Sequence, residues 1–154
     1  MKIEQLKIGR NEIATINPLT NKKVSNGYRC EIADKADKFG FIDYKLDNKI
    51  NTKFGDYRVG NFIRQTKSKN CEISLVKSIK EQVTGFENVL NTYLKYSKAN
   101  RYNYIVTINN ISYRIVMNKQ EFKDFVLTFG RYSQSRNNIR ITRSDKTIFN
   151  WANN

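Results

Sequence analysis

The chain has 154 residues and a mass of 18.1 kDa, which suffices for one ordinary domain or two very small ones. Lysine and arginine number 28 against 14 aspartate and glutamate residues, and the formal charge of +14 favours a polyanionic partner. Histidine is absent from the sequence, so Ser-His and Cys-His catalytic pairs and His-ligated metal sites are excluded.

The first half of the chain contains short apolar runs separated by Gly, Asn and Asp. Such runs predict a β-rich module over residues 1–80, arranged as a small barrel or a meander. The candidate strands are 11–16, 27–33, 39–46, 49–54 and 57–64. Residues 64–70, RQTKSKN, are predicted to form an exposed basic loop.

The second half, residues 81–154, predicts the order αββαβ. Thr84 and Glu87 fit a capping box ahead of a helix. Its apolar stripe consists of Phe86, Val89, Leu90, Tyr93 and Leu94. A hairpin of strands 102–108 and 111–117 follows, with a tight turn at Asn109-Asn110.

The last predicted elements are a helix, a strand and a short terminal segment. Asn118 and Glu121 fit a second capping box, and Gly130 is expected to end this helix in the left-handed conformation. A strand at 138–143 precedes the terminal residues. The fold class is therefore α+β, with 1–80 and 81–154 either as two modules or as one continuous domain.

Cys30 and Cys71 are too few for a disulfide scaffold or a zinc tetrahedron, so we expect buried thiols. No apolar leader or membrane-spanning run is visible, which predicts a cytoplasmic protein without a membrane partner. The abundant Lys, Asn and Ile have A/T-rich codons, which indicates a low-GC bacterium or its phage.

Two groups of cations, one in residues 53–80 and one in residues 131–146, are the strongest functional feature. Arginine, amide and hydroxyl groups donate hydrogen bonds to phosphate oxygens and base edges. Interspersed tyrosines could stack on unpaired bases, although packing at the edge of the core is the more common role of such residues. The candidate nucleic-acid-binding residues are Arg58, Arg64, Lys67, Lys69, Arg131, Tyr132, Arg136, Arg140, Arg143 and Lys146.

A weaker pattern favours a nuclease. Asp43-Tyr-Lys45 on a predicted strand, with Glu31 earlier in the chain, fits a site in which two acids hold Mg²⁺ and a lysine steadies the attacking water. Asp34 and Asp37 are alternative acids. Because Asp-x-Lys arises easily by chance in a lysine-rich chain, we expect a binder without catalysis or cofactor, and a nuclease remains an alternative.

Residues 41–70 carry a resemblance to a known kind of module. FIDYKLDNKINTKF, GDYRVGNF and KSKN resemble, in order and spacing, small β-rich modules of AT-rich phages that occur beside homing-endonuclease domains. The resemblance implies association with DNA. We therefore expect a nucleic-acid-binding protein of phage or mobile-element origin, with double-stranded DNA favoured over RNA. The alternative partner is a host protein, with the chain acting as an inhibitor of a defence or transcription complex.

Overall fold

The computed structural model describes residues 1–40, 42 and 56–154, and its helices and strands confirm the α+β class. The helices of this part of the chain are α1 (Asn26–Phe39), α2 (Lys77–Lys80), α3 (Phe86–Tyr96), α4 (Lys119–Phe129) and α5 (Asp145–Ala152). The strands there are β1 (Lys2–Gln5), β2 (Ile16–Asn17), β3 (Lys22–Lys23), β4 (Tyr57–Val59), β5 (Phe62–Ser68), β6 (Glu72–Ile73), β7 (Arg101–Ile108), β8 (Ile111–Met117), β9 (Gly130–Ser133) and β10 (Asn138–Ile141).

The strands form one large mixed sheet and two smaller ones. The large sheet has the order β1-β8-β7-β5-β4, in which β5 and β7 are parallel and the other neighbours are antiparallel. Because parallel strands need a crossover, the chain between β5 and β7 passes through β6, α2 and α3. The second sheet is β6-β10-β9, and β2 and β3 form a short ribbon. Strands from both sides of the predicted boundary at residue 80 therefore share sheets.

The two faces of the large sheet differ in chemistry, because side chains alternate along each strand. On one face Tyr102, Tyr104 and Ile115 join the main apolar core beneath α3 and α4. The other face carries Asn103 and Arg114, which are fully buried beside α1. Helix α1 is therefore docked on the sheet through buried polar contacts as well as through a small apolar cluster, in which Cys30, Ile32 and Ala33 pack against Ile105.

The structure has helix α1 where the sequence predicted a strand at 27–33. The predicted barrel or meander of the first half is therefore wrong as well. The Ser25 side chain accepts a hydrogen bond from the Tyr28 N–H, and Gly40 ends the helix at a φ of 86°. The buried face of α1 contains Asp34 and Lys35, which are 0% and 4% exposed. These buried charges hide the helical period, and Tyr28, Cys30 and Ile32 alternate like strand residues.

Other elements of the first half also differ from the prediction. The predicted strand 11–16 is replaced by a 3₁₀ turn at Arg10–Glu12 and by β2. The predicted strand 57–64 is a hairpin, because Gly60 adopts a φ of 59° and turns the chain between β4 and β5. The predicted basic loop at 64–70 is mostly strand, since β5 continues to Ser68. The predicted strand 49–54 lies outside the described residues, as do residues 41 and 43–46 of the predicted strand 39–46, whose first residue, Phe39, belongs to α1.

The second half follows its prediction closely. Asn109 and Asn110 adopt φ values of 51° and 67° and connect β7 to β8. The Asn118 Oδ1 accepts from the Glu121 N–H at 2.8 Å, and the Glu121 Oε1 accepts from the Asn118 N–H at 3.0 Å, so that capping box is confirmed. The capping box of Thr84 and Glu87 is wrong, because Gly85 is the N-cap of α3. The second half also contains β9, which the sequence did not indicate.

Gly130 ends α4 for a different reason than predicted. Its φ of −69° is accessible to any residue. A Cβ atom built there would lie 2.5 Å from the Val126 carbonyl oxygen and 2.9 Å from Ile139 Cγ2. The glycine therefore permits the close approach of α4 to β10. In the described part of the chain, no helix is long and apolar enough to cross a membrane.

Candidate functional site

A cleft of about 600 Å³ lies between the start of α1 and β5, beyond Arg64, where the pairing of β5 with β4 has ended. It is open at one side and its walls carry both signs of charge. The ionisable groups that line it are Glu31, Asp56, Lys67 and Lys69, together with the Tyr28 and Cys71 side chains. We call this space the cleft.

Asp56 sits immediately before β4 and is one of the two carboxylates of the cleft. Its Oδ2 accepts a hydrogen bond from the Thr66 N–H at 2.7 Å. Burial raises the pKa of Asp56, and the Thr66 hydrogen bond, Lys35 and Lys67 oppose that shift. A positive charge in the cleft would therefore offset the free energy of burying this carboxylate.

Glu31 reaches the same cleft from α1. The Lys35 ammonium, one helical turn along, lies 2.7 Å from the Glu31 Oε1. The Glu31 side chain keeps 22% of its surface exposed, whereas that of Lys35 is 4% exposed, so Glu31 is the member of the pair that solvent reaches. The carboxylate that the sequence singled out is therefore at the cleft, whereas its proposed partners Asp43 and Lys45 lie outside the described residues.

Lys67 enters the cleft from β5, and its ammonium lies at 3.4 Å from the Glu72 carbonyl oxygen. The same nitrogen lies 5.6 Å from the centre of the Tyr93 ring. Burial alone would lower the pKa of Lys67, but Tyr93, Cys71 and Asp56 outweigh burial and the pKa is raised. Lys67 therefore keeps its positive charge, and Asp56 is among the groups that favour it.

A buried network fixes α1 relative to the strands that carry the cleft. The Arg114 Nε donates to the Asp34 Oδ1 at 2.5 Å, and both side chains are fully buried. The Asp34 Oδ2 accepts from the Thr66 Oγ1 at 2.7 Å and from the Asn103 Nδ2 at 3.1 Å. Because Thr66 bonds Asp34 through its side chain and Asp56 through its backbone, it ties both walls of the cleft together.

The second cationic region is the outer side of the β6-β10-β9 sheet. Arg131 and Arg140 are direct partners on β9 and β10, and Arg140 is in turn opposite Glu72 on β6. The Arg140 Nη2 lies 3.1 Å from the Glu72 Oε1. Beside them is a concavity of about 670 Å³ with Glu72 in its wall. We call the basic face the set Lys77, Lys80, Arg131, Arg136 and Arg140.

Asn137 holds the two walls of this concavity in place. Its Nδ2 donates to the carbonyl oxygens of Lys80, at 3.1 Å, and Val83, at 2.7 Å. Its Oδ1 accepts from the Tyr132 hydroxyl at 2.5 Å. Tyr132 also accepts from the Gly85 N–H at 2.9 Å, so its ring serves the packing of β9 against α3. The Tyr132 hydroxyl is therefore engaged within the fold.

Several predicted residues lie elsewhere. The Arg143 guanidinium lies over the Phe129 ring at 5.8 Å from its centre, and Arg64 is 8% exposed. Tyr57, Tyr102 and Tyr104 are fully buried and cannot stack on a base. Arg58 is exposed on β4, and Lys146 is exposed on α5. The ten predicted residues therefore do not form one continuous surface.

Both cysteines are free thiols, as expected, although only Cys30 is fully buried. Burial raises the pKa of the Cys30 thiol to about 11, while its contact with Ser68 acts in the opposite direction. Burial also raises the pKa of Cys71. Neither thiol is a ready nucleophile at neutral pH.

Sequence reasoning missed Asp56, Gln65 and Lys35. The signal for Asp56 was its position just before a β-hairpin. The signal for Gln65 was its position on the returning strand, two residues before Lys67. Both signals depend on β5, which the sequence does not predict beyond residue 64. Residues 64–70 are predicted as a loop, and in a loop the alternation of side chains between two faces has no meaning. Lys35 was missed because its helix was read as a strand.

No family model, curated protein or solved structure matches this chain.

Proposed function

We propose that this protein binds nucleic acid, with double-stranded DNA as the favoured substrate, and that the cleft cleaves it with the help of a divalent cation. The observation that carries the proposal is the convergence of Glu31, Asp56 and Lys67 on one cleft. This is the set of groups that the sequence pattern for a nuclease required, with Asp56 and Lys67 in the roles first given to Asp43 and Lys45.

The donors of the cleft fit a hard cation such as Mg²⁺. Mg²⁺ keeps several water ligands and is bound by one or two carboxylates together with substrate phosphate oxygens. Two carboxylates therefore suffice, and the described residues contain no larger group of His, Cys, Asp and Glu placed around a common point. Glu31 and Asp56 would hold the ion, which would polarise the phosphoryl group and lower the pKa of a bound water.

The chain's own residues supply position and charge. The hydrogen bond from Thr66 fixes the Asp56 carboxylate, and Lys35 does the same for Glu31. Lys67 would hold a phosphate oxygen or the attacking water, because its ammonium carries up to three donors and stays protonated. Lys69 would contact a neighbouring phosphate at the mouth of the cleft.

The basic face is continuous with the cleft through β6. The Glu72 backbone oxygen faces Lys67, whereas the Glu72 carboxylate faces Arg140. A polyanion that enters the cleft can therefore extend over Arg140 and Arg131. Contacts of this kind bind the backbone of any sequence.

The proposal is tested by incubating plasmid, linear duplex and RNA with the protein in Mg²⁺ or in EDTA. We expect cleavage in Mg²⁺ only, lowered by roughly 100-fold or more in Asp56→Asn and Glu31→Gln, because each variant removes a carboxylate that holds the ion. Asp124→Asn and Glu87→Gln are matched controls at exposed helical positions, and we expect normal cleavage from both.

Circular dichroism of each variant separates lost chemistry from lost folding. Full cleavage by a folded Asp56→Asn protein would refute the assignment of the cleft. Duplex binding without cleavage in Mg²⁺ or Mn²⁺ would overturn the catalytic part of the proposal and leave a nucleic-acid-binding protein.

A further inference from the structure

A second concavity lies beside the cleft, between β5, the segment that leads into α2 and the end of α3. Its volume is about 410 Å³, within the range of about 300–1,000 Å³ that is usual for sites of small ligands. Its apolar and aromatic lining is Leu75, Val76, Ile79, Tyr93 and Tyr96, and its polar lining is Gln65, Ser74, Ser97 and Lys98. We call it the Tyr93 pocket.

The floor of the Tyr93 pocket is fixed, whereas its rim is apolar and accessible. Leu75 is 8% exposed and belongs to the main core, against which Tyr93 also packs. Tyr96, at the end of α3, is 56% exposed, and Val76, just before α2, is 64% exposed. Single exposed apolar side chains are ordinary, but two that line the same concavity offer a surface to a flat apolar group.

The polar groups of the Tyr93 pocket are free to bind a ligand. The Gln65 amide and the Ser74 hydroxyl make no hydrogen bond within the part of the chain that the structure describes, and both side chains are only half-buried. An amide offers two donors and an acceptor, which is the combination that pairs with the edge of a nucleobase. The pocket therefore combines an apolar surface with a hydrogen-bonding edge.

The charge around the Tyr93 pocket is positive. Lys98 lines it, and the Lys95 ammonium lies 5.7 Å from the centre of the Tyr96 ring. Among the described residues, no carboxylate lines the pocket. A ligand that has a flat apolar part and a negative charge is therefore matched, and a nucleotide is such a ligand.

Strand β5 lies between the Tyr93 pocket and α1. The Thr66 side chain bonds Asp34 of α1, so the neighbouring Gln65 projects from the opposite face of the strand. Gln65 nevertheless lines both the cleft and the pocket. Lys67 lines the cleft, and its ammonium lies 5.6 Å from the centre of the Tyr93 ring. A nucleotide whose phosphate lies at Lys67 can therefore place its base in the pocket.

We propose that the Tyr93 pocket binds one unpaired nucleobase of the nucleic acid, with Tyr96 stacked on its face and Gln65 hydrogen-bonded to its edge. This site rests on the proposed function, because the phosphate of the same nucleotide lies at Lys67. Aromatic side chains stack on unpaired bases, whereas a paired base first has to leave the helix. The favoured substrate is therefore a duplex with an unpaired nucleotide, such as a single-base bulge.

The first test compares two duplexes in EDTA, one with a single-nucleotide bulge and one with an abasic site at the same position. The two have the same phosphates and differ in one base. We expect the intact base to give at least about fivefold tighter binding, and we expect Tyr96→Ala to abolish this difference because the stacking surface is lost. Gln65→Leu should reduce it. Equal affinity of wild type for both duplexes, or an undiminished difference in Tyr96→Ala, would overturn the proposal.

The controls separate the pocket from the fold and from the proposed cleavage. Leu127→Ala removes a side chain that is 40% exposed on another helix, α4, and it should leave the base-dependent difference intact. Asp56→Asn should also keep this difference, because no metal is needed for it. If wild type then fails to cleave, the proposed nuclease fails and the pocket stands. If it cleaves DNA but shows no base-dependent difference, the pocket fails and the nuclease stands.

Photocrosslinking tests the location of the base directly. A bulge with 5-iodouracil at the unpaired position should crosslink on irradiation to a peptide that contains Tyr93 or Tyr96, identified by mass spectrometry. Leu127→Ala should give the same crosslink, and Tyr96→Ala should reduce its yield. The absence of this crosslink in wild type, or a crosslink confined to residues outside the pocket, would contradict the site.

Discussion

Asp34 is the residue on which the geometry of the cleft depends. Its carboxylate accepts from Arg114, Thr66 and Asn103, and all of these contacts are buried or nearly so. Burial on its own would lower the pKa of Arg114, but Asp34 outweighs it and the pKa is raised. A buried pair of this kind contributes less to net stability than to the fixing of one arrangement, because both groups must leave water.

Removing one partner of this pair leaves the other charge buried and unpaired. We expect Arg114→Met to lower the free energy of unfolding by about 3–5 kcal/mol. Urea denaturation measures the change, with Lys2→Met as control, because the Lys2 side chain is 75% exposed and its pair with Glu4 contributes little. We expect the double variant Asp34→Leu/Arg114→Met to lose less than the sum of the two single variants. A loss in Arg114→Met as small as in the control would contradict this role.

At the level of elements, local signals decided which parts of the fold could be predicted. Helix α4 and the hairpin of β7 and β8 were predicted because their caps, turn residues and apolar periods are each visible within a few residues. Helix α1 was not, because Asp34 and Lys35 occupy its buried face. Their partners, above all Arg114, are distant in sequence, so no local pattern reveals why charged residues belong inside.

The same distinction applies to the candidate site. Glu31 and Lys67 were chosen from residue type and spacing, and both line the cleft. Their assembly with Asp56 needs the β4–β5 hairpin and the docking of α1, which are tertiary features. Arg64 was also chosen, but its burial has no sequence signal, because an arginine on a strand normally faces solvent.

On the scale of the whole molecule, the positive charge is spread over the described surface, and the basic face is the part where several cations lie together. The acids near them are partly committed to local pairs, such as Arg140 with Glu72. Because the sequence has 28 basic and 14 acidic residues, such pairs still leave a net excess of positive charge. This arrangement fits a substrate that is held along its backbone and acted on at one point.

Binding along the backbone makes affinity depend on salt. With six to eight phosphates neutralised, we expect log affinity for a duplex in EDTA to fall against log salt with a slope of roughly −5 to −7. Arg131→Gln/Arg136→Gln should flatten the slope by roughly 2, since each contact contributes about 0.9. Arg143→Gln is the control, because its guanidinium lies over Phe129. A slope near zero, or one that the double variant leaves unchanged, would contradict binding through the basic face.

The most direct test of the metal-dependent cleft is a titration of the protein with Mn²⁺, followed by the loss of the free-ion signal in electron paramagnetic resonance. We expect one or two bound ions per chain, with affinity at least about tenfold lower in Asp56→Asn and in Glu31→Gln, because each carboxylate is a ligand. The exposed-site variants Asp124→Asn and Glu87→Gln should bind as wild type does. Wild-type protein that binds no Mn²⁺, or Asp56→Asn protein that binds it with undiminished affinity, would contradict a metal site in the cleft.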